Sequence, residues 1–143
     1  MKKTKHLRSK YSKQLIPFRN KPTLIGLPKA NVIVKDPISQ KETEFSNKFL
    51  LDTGATISIL NNKYSDFFKN VDIINEIKIQ YGRGKPSWLP VYNVIFIIKG
   101  REFESEAALD QEAAGLILGH HKFFENFRYN LFDSVINECR QVF

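Results

Sequence analysis

Apolar residues in this chain come in short runs separated by turn formers, a pattern that predicts strands and not long helices. Residues 23–25 form one run, bounded by Pro22 and by Gly26, Leu27 and Pro28. Residues 31–35 form the next and lead into Asp36-Pro37, a turn signal. Residues 44–45 and 49–51 return toward Asp52, so the first half reads as hairpins that deliver a carboxylate at a strand end. Asn61 is placed to cap a short helical turn over 62–68. Over 71–81, Ile77, Ile79 and Tyr81 alternate with Lys78 and Gln80, giving one buried and one wet face. Residues 93–98 are apolar on both faces and predict a central strand. In 102–108, Glu102, Glu104 and Glu106 alternate with Phe103, Ser105 and Ala107, which predicts a strand with its carboxylates in solvent. Residues 115–119 are an apolar strand between two glycines, and 120–127 read as a helix turning Phe123, Phe124 and Phe127 to a core. Strand-like alternation resumes over 128–136, and 137–143 form a tail able to pair with another strand.

The stretch 81–92 breaks the pattern. Gly82, Gly84, Pro86 and Pro90 make it a hairpin tip or mobile loop, yet it carries the only tryptophan, Trp88. An aromatic there serves equally well as a lid over a ligand or as an anchor holding the loop to its own core.

At 143 residues, 42% apolar and with twelve Phe, the chain reads as one globular all-β domain. No apolar run approaches the roughly 20 residues that span a bilayer. The N-terminus is charged with no apolar segment behind it, the single Cys139 has no partner, and there is no Asn-x-Ser/Thr sequon. These features point to a reducing, intracellular and cytoplasmic setting. The net charge of +7 is uneven: residues 1–21 hold eight Lys or Arg and no acid, while 14 basic and 15 acidic residues leave the remainder at −1. The expectation is a flexible basic arm over 1–21 followed by a folded domain over 22–143. Such an arm can contact a polyanion through residues 2–21, or act as a solubility tail.

The candidate chemistry centres on residues 49–60. Asp52 interrupts two apolar runs where a buried strand would carry another Val or Ile, and an unpaired buried carboxylate costs several kcal/mol on the order-of-magnitude scale. Gly54 lets the backbone turn sharply beside it, and Thr53 and Ala55 are small enough to admit a ligand. The plain alternative is a strand ending in an Asp-Thr-Gly turn. Turns, however, are usually flanked by polar residues, and this one has apolar neighbours on both sides. A metal site is not expected: His120 and His121 are adjacent and point about 100° apart on a helix, and His6 lies in the basic segment.

An apolar run, Asp52-Thr53-Gly54-Ala55, Ser58 at the sixth residue after the Asp, and then Ile59-Leu60 resemble the active-site segment of retroviral-type aspartic proteases, the retropepsins. About sixty residues on, Leu116-Ile117-Leu118-Gly119 and the segment after it are similar to that family's aliphatic-Gly-helix element, and 81–92 falls where its flap hairpin lies. The resemblance covers roughly 22–133. It implies a small closed β-barrel with a flap hairpin and one short helix near the C-terminus. It also implies that Asp52 is catalytic, with Thr53 bonding to its symmetry mate, Gly54 near the substrate, Ala55 lining the site and Ser58 in buried support. Thr56, Gly82, Gly84, Trp88 and Ile117 would contact substrate, with Ile57 and Ile59 as further wall residues. In many viral members an acid two residues after Gly54's counterpart pairs with an Arg after the second Gly; here Thr56 and His120 stand in those places.

Peptide hydrolysis of this type needs two carboxylates sharing a proton, as in the aspartic proteases. Asp36, Asp66, Asp72, Asp110 and Asp133 lack a following Thr/Ser-Gly, so the second carboxylate is expected from an identical chain. The reading is therefore a homodimeric aspartic endopeptidase acting on a peptide or protein, with no metal and no cofactor. The rival is a catalytically silent module of the same fold that binds or dimerises, its basic arm contacting nucleic acid.

Overall fold

The computed structural model describes residues 6–17, 19–80 and 83–143. It is all-β, with ten strands in chain order: β1 (His6–Ile16), β2 (Thr23–Lys35), β3 (Asn47–Leu51), β4 (Ser58–Leu60), β5 (Asn75–Ile79), β6 (Ser87–Ile98), β7 (Arg101–Leu109), β8 (Ile117–Leu118), β9 (Tyr129–Asp133) and β10 (Glu138–Val142). They form a single sheet in the order β5-β6-β7-β4-β8-β3-β2-β1-β10-β9. An additional pairing of β2 with β6, Val34 opposite Phe96, returns the sheet on itself over the six strands from β6 to β2. The sheet is thus partly closed, with β5 beyond one end and β1, β10 and β9 beyond the other.

Closure gives the fold an inside. Val32, Val34, Phe49, Val94, Phe96, Ile98 and Leu118 fill it, each at most 1% exposed, with Tyr64, Phe68 and Phe123 packed among them. Phe96 meets Phe49 and Phe123 edge-on at 5.8 and 6.0 Å, a favoured geometry for aromatic pairs. As its apolar run predicts, β6 is central, pairing with β5, β7 and β2. A smaller cluster, Ile57, Ile59, Leu89, Val91 and Ala108, lies apart from this core and is covered by Ile77, Ile79, Ala113 and Ile117.

Three elements differ from the sequence reading. The flexible arm is overturned over His6–Ile16, which is an eleven-residue strand pairing with β10 through His6–Lys10 and with β2 through Tyr11–Ile16. Its fully buried positions are only Leu7 and Ser9, and β10, its partner over His6–Lys10, lies at residues 138–142, so hydrophobic alternation gives little sign of it. Lys2, Lys3 and Lys5 lie outside the described residues. β2 runs unbroken through Gly26 and Pro28, where separate short strands were expected. The helix expected over 120–127 is a turn closed by a single 3-10 turn, Phe124–Asn126. Lys122 takes φ +57°, which an α-helix cannot accommodate, although Phe123, Phe124 and Phe127 still reach the core. Among the described residues no helix is long and apolar enough to cross a membrane.

Candidate active site

The short β8 lies between β3 and β4, parallel to the first and antiparallel to the second: Leu51 faces Leu118, and Ile117 faces both Leu50 and Ile59. Asp52 follows directly after β3. Its N–H donates to the Leu118 carbonyl at 3.0 Å, so the ladder that ends β3 fixes where the carboxylate leaves the sheet. The chain then turns tightly. Ala55 N–H donates to the Asp52 carbonyl at 3.1 Å, and Gly54 N–H donates to Asp52 Oδ1 at 2.9 Å. A Cβ at position 54 would lie 3.2 Å from that same Oδ1, a tight approach that Gly54 avoids.

The segment after β8 holds the far side of the loop. His120 and His121 N–H groups donate to the carbonyls of Ala55 and Thr56, both at 2.8 Å. Ser58 is fully buried, and its hydroxyl accepts from Gly119 N–H at 3.0 Å. Gly119 packs so closely on this loop that a Cβ there would lie 2.5 Å from the carbonyl carbon and oxygen of Ile57. The loop is therefore clamped by backbone groups on both sides of Thr56 and by the Ser58 hydroxyl beneath it.

A carboxylate does take part in the bracing, from β7. Glu106 was expected in solvent with Glu102 and Glu104. Instead its side chain is only 15% exposed and meets Lys122 Nζ at 2.7 Å and His121 Nε2 at 3.2 Å. The Lys122 hydrogen bond lowers the Glu106 carboxyl below its ordinary 4.5 against the opposing effect of burial, and His121 lowers it further. β7 is thereby tied to the same segment that clamps the loop.

Asp52, Gly54, Ala55 and Thr56 form the polar side of a cleft of about 430 Å³. Its apolar walls are Ile57, Ile59 and Ile117, with Ile77 and Ile79 from β5 opposite, and Lys78 and Gln80 also line it. β5 and β6 are an antiparallel hairpin, Ile79 opposite Ser87, so the hairpin stands beside the Asp52 loop.

Of the residues picked from sequence, Asp52, Gly54, Ala55, Thr56 and Ile117 come together in this cleft. Thr53 is exposed in the turn, and Ser58 lies beneath the loop. Trp88 and Gly84 do not line the cleft; Trp88 is 65% exposed on β6, paired with Lys78 on β5. The strand that carries Trp88 sends Leu89, not Trp88, inward, so the tryptophan neither anchors the hairpin to the core nor covers the cleft in this structure. Gly82 lies outside the described residues. Sequence reasoning passed over Ile77 and Ile79 as cleft residues, although their alternation already marked one face of β5 as buried. Among the described residues no group of three or more His, Cys, Asp or Glu is placed to hold a metal ion.

No family model matches the chain, and no curated protein matches it. Among solved structures it is similar to a retropepsin-like aspartic protease from Rickettsia conorii, with a TM-score of 0.54 at 16% identity over 99% of this chain and 96% of that one. That likeness extends to the fold: the partly closed all-β sheet is of the retropepsin-like type. A foamy viral protease-reverse transcriptase, solved in complex with an RNA/DNA hybrid, matches 65% of this chain at 25% identity with a TM-score of 0.47, and this chain spans only 11% of its length.

Proposed function

We infer that this chain is an aspartic endopeptidase whose working unit is a two-fold dimer, with Asp52 of each subunit meeting at the axis. The observation that carries the reading is the position of Asp52. A tight, backbone-clamped turn holds it at the floor of an isoleucine-walled cleft, facing a hairpin, in a fold of the retropepsin-like type. One ionised carboxylate would activate a water, and the other, protonated, would polarise the scissile carbonyl. Two carboxyls that share one proton would titrate as a pair, so the rate should follow a bell-shaped pH profile with apparent values belonging to the dyad.

A substrate peptide would lie extended between the β5–β6 hairpin and the Asp52 loop, taking main-chain hydrogen bonds from both sides. The isoleucines favour apolar side chains next to the scissile bond. Ala55 offers the carboxylate no hydroxyl donor, which favours activity nearer neutral than strongly acid pH; a rate maximum below about 3 would contradict this.

The test compares wild type with Asp52→Asn on a peptide library, together with sedimentation. The reading requires cleavage by a dimeric wild type and none by the variant. Equal cleavage by both proteins, or a strictly monomeric wild type that still cleaves, would overturn it. A dimer that cleaves no peptide would favour the silent binding module instead.

A further inference from the structure

A second cleft, of about 480 Å³, lies away from Asp52 where β1 and β2 part. Tyr11 opposite Pro28 is the last pair between them; beyond it β1 turns to β10, and β2 pairs with β3 from Lys29 onward. Pro28 has no N–H to extend the ladder, so the strands separate there and leave a wedge. Four lysines from four places in the chain converge on it: Lys10 of β1, Lys29 of β2, Lys48 of β3 and Lys99 of the β6–β7 turn. None of the described residues lining the wedge is acidic, and none of the four lysines forms an ion pair with a described carboxylate. Lys48 Nζ reaches Ser12 Oγ across the wedge at 3.2 Å, and Lys99 Nζ donates to the Arg8 carbonyl, so both are held in place by neutral partners.

Four cations around one concavity repel each other, and ordinary surfaces relieve this by interspersing carboxylates. Here the charge is concentrated, and a cleft of one sign focuses its field on an incoming anion. A buried hydroxyl lies beside these charges. Ser9, 4% exposed, lines the wedge with its hydroxyl buried and without a hydrogen-bond partner. Tyr11 also lines it, half-buried, with its ring packed on the main core and beside Gly26. A positively charged groove that tracks the phosphate backbone is the electrostatic element of single-strand recognition. A convex or flat basic face would suit a duplex; a wedge between strands does not.

We propose that this wedge binds single-stranded nucleic acid, with Lys10, Lys29, Lys48 and Lys99 on its phosphates. The site is built into the folded sheet, and it stands whether or not Asp52 is catalytic.

Fluorescence anisotropy of the full chain with labelled oligothymidylate and oligouridylate tests it, with binding to either strand supporting the proposal. The affinity should fall with salt on a log–log slope of about −3, as four phosphate contacts on a single strand require. Replacing Lys10, Lys48 and Lys99 together by Gln should weaken binding by about tenfold or more and flatten that slope, while the same positions changed to Arg should retain both. Asp52→Asn should bind as wild type, which separates this site from the cleft. Absence of binding at low salt, an unchanged affinity in the triple Gln variant, or equal competition by inorganic pyrophosphate at matched charge would overturn the proposal. Binding to phosphatidylserine vesicles without binding to either oligonucleotide would overturn it as well.

Discussion

Two clefts of similar size share this small fold, and their walls are opposite in kind. The one at Asp52 is about 430 Å³, walled by five isoleucines around a single carboxylate and set by backbone hydrogen bonds. The other, about 480 Å³, is lined by four lysines and lies where two strands diverge. The first is rigid because its loop is clamped from β3, β8 and the segment after Gly119. The second is positioned by a fork in the sheet and held by long side chains. One is suited to chemistry that needs fixed geometry, the other to an anion whose contacts tolerate rearrangement. Changes at one cleft should therefore leave the other's function intact.

The largest break in this comparison comes from Asp52→Asn. It should lower peptide cleavage by on the order of a thousandfold or more, in a steady-state assay, with oligonucleotide affinity unchanged. Next is Gly119→Ala, whose Cβ would meet the Ile57 carbonyl at 2.5 Å. Forcing the loop apart should cost about 3 kcal/mol of stability in chemical denaturation and should abolish cleavage. Ser58→Ala leaves the buried Gly119 N–H without its acceptor and should cost about 2 kcal/mol by the same measurement, with reduced cleavage.

The smallest effect is expected from Glu106→Gln, and it sharpens the comparison through pH. The folded-state carboxyl is held below its ordinary value by Lys122 and His121, so its contribution is present above 4.5 and lost as pH falls through the lowered folded value. The variant should melt below wild type near pH 7, and the two curves should converge in acid. A gap that persists unchanged at low pH would show that the ion pair is not what braces the loop.

Most of the Asp52 cleft was legible in the sequence because its logic is local. A carboxylate between apolar runs, a glycine two residues on and a second glycine after an aliphatic run each mark a backbone requirement that the residue type itself announces. The walls from β5 were half visible, since Ile77 and Ile79 alternate with polar residues, but which surface they face depends on the hairpin's position against the loop. The role of Glu106 was hidden, because an alternating Glu on a strand looks the same whether its partner is water or a lysine sixteen residues away. The lysine wedge was the least legible. Its four cations are spread from position 10 to position 99, and β1 itself shows little hydrophobic alternation. Charge counting over 1–21 located an excess of lysine, yet only the sheet order shows which lysines meet. Trp88 was misleading for a related reason: a lone aromatic in a Gly/Pro stretch signals a special position without saying on which face of the strand it falls.

The central claim is that the Asp52 site is completed by an identical chain. Mixing wild type with Asp52→Asn at constant total concentration, under conditions that allow subunits to exchange, tests it directly. If each site takes one Asp52 from each of two chains, cleavage should fall as the square of the wild-type fraction. A strictly linear fall would mean that each chain cleaves alone, and the paired-carboxylate dimer would be wrong.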